Sequence, residues 1–450
     1  MNMMTLKKYA IGFSITLSVF TVNGQQAGSA NYSLQQAIDY AYKNSPNYLN
    51  AESDVLMAKY KRKEVIGIAM PQISASVDFK DFLEIPTSLL PGQIFGGPPG
   101  TFIPVKFGTK YQATAGASAS LLVFSADYLI GLKATKEYIS LMNINITRTK
   151  TETVSSVSKA YYSVLVNKER IKLLDANITK LEKLLNDTKA FNKQGFVEQI
   201  DVDRLEVAFN NLTTEKQKIE RLVSLSENLL KFQMGYTGKE NFILTDSLSL
   251  NDNVEPIDVL KYDVSKRSEY QMLETQQRLN TINLKRTQFG YLPSLVAYGS
   301  MSYSGQRNEF DFFDRTKDWF PTALIGGTLS LNLFDGLQRH YKIQQIKIDY
   351  KKGDNNLKNL QLAIELETAS AFVNYNNATS SLQIQKRNMN LAKNIYTVSQ
   401  KKYEQGVGSN LEVINAQASL KESETNYFNA IYDMLVYKID YLKATGSLVK

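Results

Sequence analysis

Few side chains in this sequence are equipped for covalent or metal chemistry. It has no cysteine and one histidine, His340. That removes thiol nucleophiles, disulfides and thiolate metal sites, and leaves nothing from which a His-based metal centre or a Ser-His-Asp triad could be assembled. His340 stands where a strand pattern passes into a helical one and reads as an incidental polar residue. No clustered pair of acids offers a general acid and base. An enzyme is therefore not expected, nor a cofactor or a metal. The 52 Lys and Arg are interleaved with the 44 Asp and Glu, for a net charge of +8. Such mixing describes solvated helix faces, and no nucleic-acid partner is expected. What stands out instead is a pair of glycine turns, Gly195-Phe196-Val197 and Gly406-Val407-Gly408-Ser409. Glycine lets a backbone reverse tightly and lets helices approach closely, although each turn is equally a plain helix C-cap.

These turns join very long helical patterns. From about residue 126 to 191 no proline occurs, and Val154, Val157, Tyr161 and Val164, then Ile171, Leu174, Ile178, Leu181 and Leu185, step by three and four. A second such run covers 336–403, with Phe372, Tyr375, Leu382, Leu391, Ile395 and Val398. A helix of about 65 residues spans roughly 100 Å, beyond globular practice and suited to a coiled-coil-like assembly. Each run turns at its glycine into a shorter return helix, 197–235 and 411–444, about half as long. Helices at 47–69 and 261–289 have the length to cover the other half.

Before each long helix the period changes to two. Ile73, Ala75, Val77 and Phe79 alternate with polar residues in a strand over 72–82, and Ala113 to Val123 alternate with Gln, Thr, Gly and Ser in a strand over 112–124. Leu295, Ala297, Gly299, Met301 and Tyr303 share a face of a strand over 294–305, as do Ile325, Gly327, Leu329, Leu331 and Leu333 over 322–334. These runs match the roughly 9–11 residues of a tilted transmembrane strand. Tyr111, Tyr291, Tyr303, Trp319 and Phe320 lie near the strand ends, as an interfacial girdle requires. The Pro/Gly-rich segment 85–105 reads as a loop between the first two strands.

The order therefore occurs twice. Asn44-Ser45-Pro46-Asn47-Tyr48 corresponds to Lys266-Arg267-Ser268-Glu269-Tyr270, Pro71 to Pro293, Leu121-Leu122-Val123-Phe124 to Leu331-Asn332-Leu333-Phe334, and Gln194-Gly195 to Gln405-Gly406. A first repeat at 25–235 and a second at 261–450 flank a linker at 236–260. Residues 1–24 read as a secretory signal, with Lys7 and Lys8 before a short apolar run and Val22-Asn23-Gly24 as the cleavage site. Without a cysteine after that site, no lipoprotein anchor is expected. Four membrane strands cannot close a barrel, and an open edge in lipid leaves unpaired backbone groups. Several copies must share one barrel, in a ring with complementary edges.

This organisation resembles the TolC-like outer-membrane efflux proteins. The residues that carry the likeness are Asn44-Ser45-Pro46, Leu333-Phe334-Asp335-Gly336, the run Tyr403-Glu404-Gln405-Gly406-Val407-Gly408-Ser409-Asn410-Leu411-Glu412-Val413, and its first-copy partner Gln194-Gly195-Phe196-Val197 with Asp201-Val202. The resemblance implies a mainly α fold with a membrane β-barrel portion: a homotrimer whose four strands per chain complete a twelve-stranded barrel in outer-membrane lipid, with long α-helical hairpins forming a periplasmic tunnel. It implies a channel without chemistry of its own, docked to a periplasmic adaptor (membrane fusion protein) and an inner-membrane RND or ABC-type pump, for efflux or type I secretion. It also implies a gate at the hairpin tips. Glu412 matches an acidic tip position, and three copies would form a ring attracting cations. Asn415 falls where a second acid can occur, and Gly408 where a basic link can stand. Tyr403 and Asp201 match positions that bond between hairpins. Gly195, Phe196, Val197, Gly406, Val407, Gly408, Ser409 and Leu411 become adaptor contacts. The alternative reading, an exported coiled-coil adhesin or stalk, explains the long helices but neither the strand pairs nor the glycine hairpins.

Overall fold

A computed structural model describes residues 30–238, 242–248, 257 and 262–449. The expected signal at 1–24 and most of the segment from 249 to 261 lie outside the described residues. In chain order the elements are β1 (Ala30–Tyr32), α1 (Leu34–Asn44), α2 (Pro46–Gly67), β2 (Gln72–Asp81), β3 (Thr87–Pro91), β4 (Phe102–Lys106), β5 (Tyr111–Phe124), α3 (Ala126–Lys193), α4 (Gln199–Met234), β6 (Phe242–Leu244), α5 (Ser268–Phe289), β7 (Ser294–Arg307), β8 (Phe320–Ser330), α6 (Gln338–Glu404) and α7 (Asn410–Ala444). Among the described residues no helix is long and apolar enough to cross a membrane.

Local chemistry sets the helix starts. Ser33 and Gln36 form a reciprocal capping box before α1. Pro46 occupies the first turn of α2, where its missing N–H costs nothing. Ser125 accepts from the Tyr128 N–H before α3, which then runs for 68 residues without interruption. The 67-residue α6 starts at Gln338, two residues later than its pattern suggested. Gly336 and Leu337 before it are both left-handed, with φ of 64° and 65°, and left-handed backbone cannot be the first turn of a right-handed helix.

The large sheet has four antiparallel strands in the order β2-β5-β7-β8. Its register carries one alternation across all of them. Ile73, Ala119, Gly299 and Ile325 form one cross-strand row, and Ala75, Ala117, Met301 and Ala323 form another. Between them lies the row Ser74, Ser118, Ser300 and Leu324. Cross-strand partners share a face, so one face is apolar and the other mostly hydroxylic. Among the described residues most of the apolar face is uncovered, with Val77 80% exposed and Ile325 95%; only at the Phe79–Ala113–Gly305 end do Phe310 and Phe312 pack onto it. Among the described residues the outer edges of β2 and β8 are unpaired.

Three further sequence expectations are corrected here. The helix expected over 261–289 begins at Ser268, because Asp263 accepts from the Ser265 N–H and ties Val264–Lys266 into a 3-10 turn. The fourth strand stops at Ser330 rather than running to 334, because Ser330 pairs with Ser294 and the preceding Pro293 has no N–H to extend the ladder. The segment 85–105 is more than a loop. Pairing from Thr87 with Lys106 to Pro91 with Phe102 makes a small hairpin of β3 and β4, closed by a 3-10 turn at Gly92–Phe95.

The helices pair by length. In one half of the molecule α3 lies against α4 and α6 against α7; in the other half α2 and α5 take those places beside α3 and α6. The end of α4 abuts the start of α2 at Gly235, which is left-handed (φ 68°) and so close to Asn44 and Ser45 that any Cβ would strike their backbone. The end of α7 meets the start of α5 through Arg267. This buried guanidinium donates to the Ala444 carbonyl at 2.8 Å and to Glu367 at 3.0 Å, with Glu269 at 3.2 Å. Both repeats thus build a broken column somewhat shorter than their unbroken one.

At the level of these junctions the short strands β1 and β6 pair in parallel. The Tyr161 hydroxyl, on a fully buried ring, donates to Asp246 at 2.9 Å, and Asp246 also accepts from the Leu34 N–H. Burial and the neighbouring carboxylate push the Tyr161 phenol far above its usual range. The described part of the segment expected as an irregular linker is therefore fastened to α3, with Leu448 and Val449 packed in the same apolar cluster.

Candidate functional site

The two glycine turns end the hairpins side by side. After α3, Gly195 takes φ 82°, and after α6, Gly406 takes φ 73°. In both, the next N–H reaches back six residues inclusive: Phe196 to the Phe191 carbonyl and Val407 to the Lys402 carbonyl, each at 3.0 Å. This is the Schellman arrangement, in which the residue after the glycine usually folds onto the helix. Here it does not. Phe196 is 75% exposed and Val407 76%, so two large apolar side chains project from the ends. Val197 is half-buried and accepts from the Asn192 carboxamide at 2.9 Å. Gly408 sits against the Lys402 stem with no room for a Cβ. Ser409 caps α7 by accepting from the Glu412 N–H at 3.3 Å, and Leu411 is exposed.

An open groove of about 950 Å³ separates the turns, lined by Phe191, Phe196, Asp201, Tyr403, Asn410 and Leu411 among others. Across it the hairpins are tied, though not as expected. The Tyr403 hydroxyl lies 3.5 Å from the Thr188 hydroxyl on α3, a marginal contact. The Asp201 carboxylate faces Arg204 one turn along its own helix, at 3.7 Å. The strong tie is Asn410, whose carboxamide donates to the Asp201 carbonyl at 2.7 Å. Asp201 is thus joined to the second hairpin by its backbone, since its side chain is drawn to a cation on its own helix. Glu412 and Asn415 are exposed on the first turns of α7, and a carboxylate there faces the favourable end of the helix dipole. His340 is exposed beside Tyr341, far along the chain from these turns.

Further along the bundle, α3 meets α7 at polar contacts that sequence reasoning missed. Lys159 forms an ion pair with Asp440 at 2.5 Å. Arg170 donates to Glu215 of α4 at 2.8 Å and to Thr425 of α7 at 3.3 Å. Asn177 donates to the buried Glu424 carboxylate. The signal was present: Asn177 interrupts the stripe Leu174, Ile178, Leu181, and Glu424 interrupts Leu420, Tyr427, Ile431. Nearer the turns, the buried Tyr396 phenol on α6 is pushed up to about 12, chiefly by burial.

Comparison with known proteins agrees with this geometry. A family model described as "Outer membrane efflux protein" matches residues 270–447. The chain is 22% identical over 351 residues to the probable efflux pump outer membrane protein TtgC of Pseudomonas putida, covering 75% of this chain and 69% of that one. It is 19% identical over 338 residues to the outer membrane protein TolC of Vibrio cholerae, covering 74% and 77%. Its fold is similar to that of the CmeC outer membrane channel of Campylobacter jejuni, with TM-score 0.70 and 14% identity over 99% of this chain and 94% of that one. It is similar also to the open state of the MtrE outer membrane channel of Neisseria gonorrhoeae, with TM-score 0.70 and 14% identity over 92% and 89%.

Proposed function

The chain belongs to the TolC family of outer membrane efflux proteins, and we propose that it works as a homotrimeric exit duct of a tripartite efflux or type I secretion machine. It resides in the outer membrane, with its helices extending into the periplasm. The observation that carries the trimer is the sheet. It has one largely uncovered apolar face, one hydroxylic face and two unpaired edges on β2 and β8. In lipid each unpaired backbone group costs several kcal/mol, on the order of the loss of a hydrogen bond in hydrocarbon. Pairing β8 of one copy with β2 of the next removes both edges, and three copies close a twelve-stranded barrel with its hydroxylic face to the lumen. The long and broken helix columns continue the barrel as a tunnel.

The duct supplies no energy, so it needs partners. The projecting Phe196, Val407 and Leu411, on the turns built by Gly195, Val197, Gly406, Gly408 and Ser409, form the docking face for a periplasmic adaptor. The adaptor in turn engages an inner-membrane RND or ABC-type pump. Exposed apolar side chains at a helix end suit an interface. The same turns carry the gate: Tyr403 and Asp201 with the Asn410 bond between hairpins, and Glu412 as a single acidic ring in which Asn415 adds no second charge.

Two measurements on purified protein test this reading. Native mass spectrometry in detergent should give three copies, and planar bilayers should show a poorly conducting channel that opens when Asn410→Ala, which removes the bond to the Asp201 carbonyl, is combined with Tyr403→Phe. Unchanged conductance removes the latch residues from the gate, and absence of any channel removes the duct.

A further inference from the structure

The seam between the hairpins has a polar break well away from the turns. Leu174, Asn177 and Leu181 of α3 and Leu420, Glu424 and Phe428 of α7 are all buried. Of these six only Asn177 and Glu424 are polar, 6% and 7% exposed. The Asn177 Nδ2 donates to both carboxyl oxygens, at 3.0 and 2.8 Å. The charged groups around the pair come from every packed helix. Arg170 of α3 is already engaged by Glu215 of α4 and Thr425 of α7. Lys180 of α3 and Lys393 of α6 act on the carboxyl from a distance. Glu169 and Lys172 of α3 and Lys421 of α7 line the openings on either side.

We propose that Asn177 and Glu424 form a proton-operated clasp between the two hairpins, tight when the carboxyl is protonated and loose when it is ionised. A neutral carboxyl has one O–H to donate and one carbonyl to accept, which complements the two ends of a carboxamide once the Asn177 amide turns to offer its Oδ1 to that O–H while one of its two Nδ2 bonds remains. Ionisation removes that donor and leaves a charge in an apolar seam, held by one amide and no direct cation. Burial raises the Glu424 carboxyl above its usual range; the Asn177 bond and the two lysines pull it down by less. The sign follows. The folded chain holds this proton more tightly than the unfolded chain, so the seam's stabilisation is complete below the unfolded carboxyl value and is lost as pH rises through the folded one. If the duct reading holds, on which the consequence for transport rests, an acid periplasm draws the second hairpin against the first and a neutral one frees it to move.

Glu424→Gln keeps the shape and supplies a permanently neutral partner. In detergent, the wild-type melting midpoint should fall between pH 5 and pH 8, and that of Glu424→Gln should fall by clearly less. In planar bilayers the wild-type conductance should rise over the same step, while Glu424→Gln stays at its acid value. Should the Gln variant not fold, Asn177→Leu with Glu424→Leu, an apolar seam, should give the same blunted response. Equal pH responses in wild type and either variant overturn the clasp. A variant-sensitive midpoint in a protein that never conducts keeps the clasp and overturns the duct.

Discussion

At the scale of single residues the chain departs from an economical design in a few places, and each departure has a measurable consequence. Leu337 takes a left-handed φ of 65° and is the only described non-glycine residue to do so. Left-handed backbone costs an L-residue roughly 1–2 kcal/mol, and half-exposed Leu337 recovers little by burial. Leu337→Gly should therefore raise stability by up to about 1 kcal/mol, read as a higher melting midpoint. At the turns, the 2.7 Å Asn410 bond outweighs the 3.5 Å Tyr403 contact. Asn410→Ala should open the channel in bilayers more than Tyr403→Phe does. Glu412→Gln should shift the reversal potential in a salt gradient toward lower cation preference, because it removes the acid from each copy of the proposed ring.

At the scale of elements, the fold depends on helices that meet end to end. The junction of α7 with α5 rests on Arg267, which neutralises Glu269 and Glu367 and satisfies a carbonyl at the end of α7. Removing one partner of a buried ionic group typically costs about 3–5 kcal/mol. Arg267→Ala should lower the denaturation midpoint accordingly, and protease should then cut near residue 445 first. The corresponding junction in the first repeat uses backbone contact at Gly235 in place of a cation. The repeats keep the geometry and differ in the chemistry. Much of this was legible beforehand: two long periodic helices, shorter returns and strand pairs follow from periodicity and from proline and glycine positions. The hairpin of β3 and β4 was not, because Pro- and Gly-rich segments mask short pairings. Nor was the pairing of β1 with β6, which joins three-residue strands more than two hundred positions apart.

At the scale of the whole molecule, one chain is an incomplete object. Its sheet offers an apolar face and two open edges, both of which the proposed assembly in a membrane would relieve. Ile325, 95% exposed midway along β8 at the end of an apolar cross-strand row, provides the test. Ile325→Arg should cost about 2–4 kcal/mol if that face meets the bilayer midplane. It should lower the yield of trimer in native mass spectrometry while leaving the helices intact by circular dichroism. The reverse change on the hydroxylic face, Ser300→Arg, should spare assembly and alter conductance.

By itself the sequence determined which segments are helices and strands and that the plan is duplicated, because periodicity and breakers are local properties. It also marked the turns, since a residue of left-handed φ followed by a reversal calls for glycine. Tertiary structure decided which polar groups meet. Asp201 and Tyr403 sit near one another yet do not bond, because Arg204 lies within reach of the carboxylate on its own helix and Asn410 reaches the backbone first. Asn177 and Glu424 are unremarkable surface types in the sequence, 247 residues apart. They become a buried pair only because two apolar stripes, wound on separate hairpins, bring them to the same level.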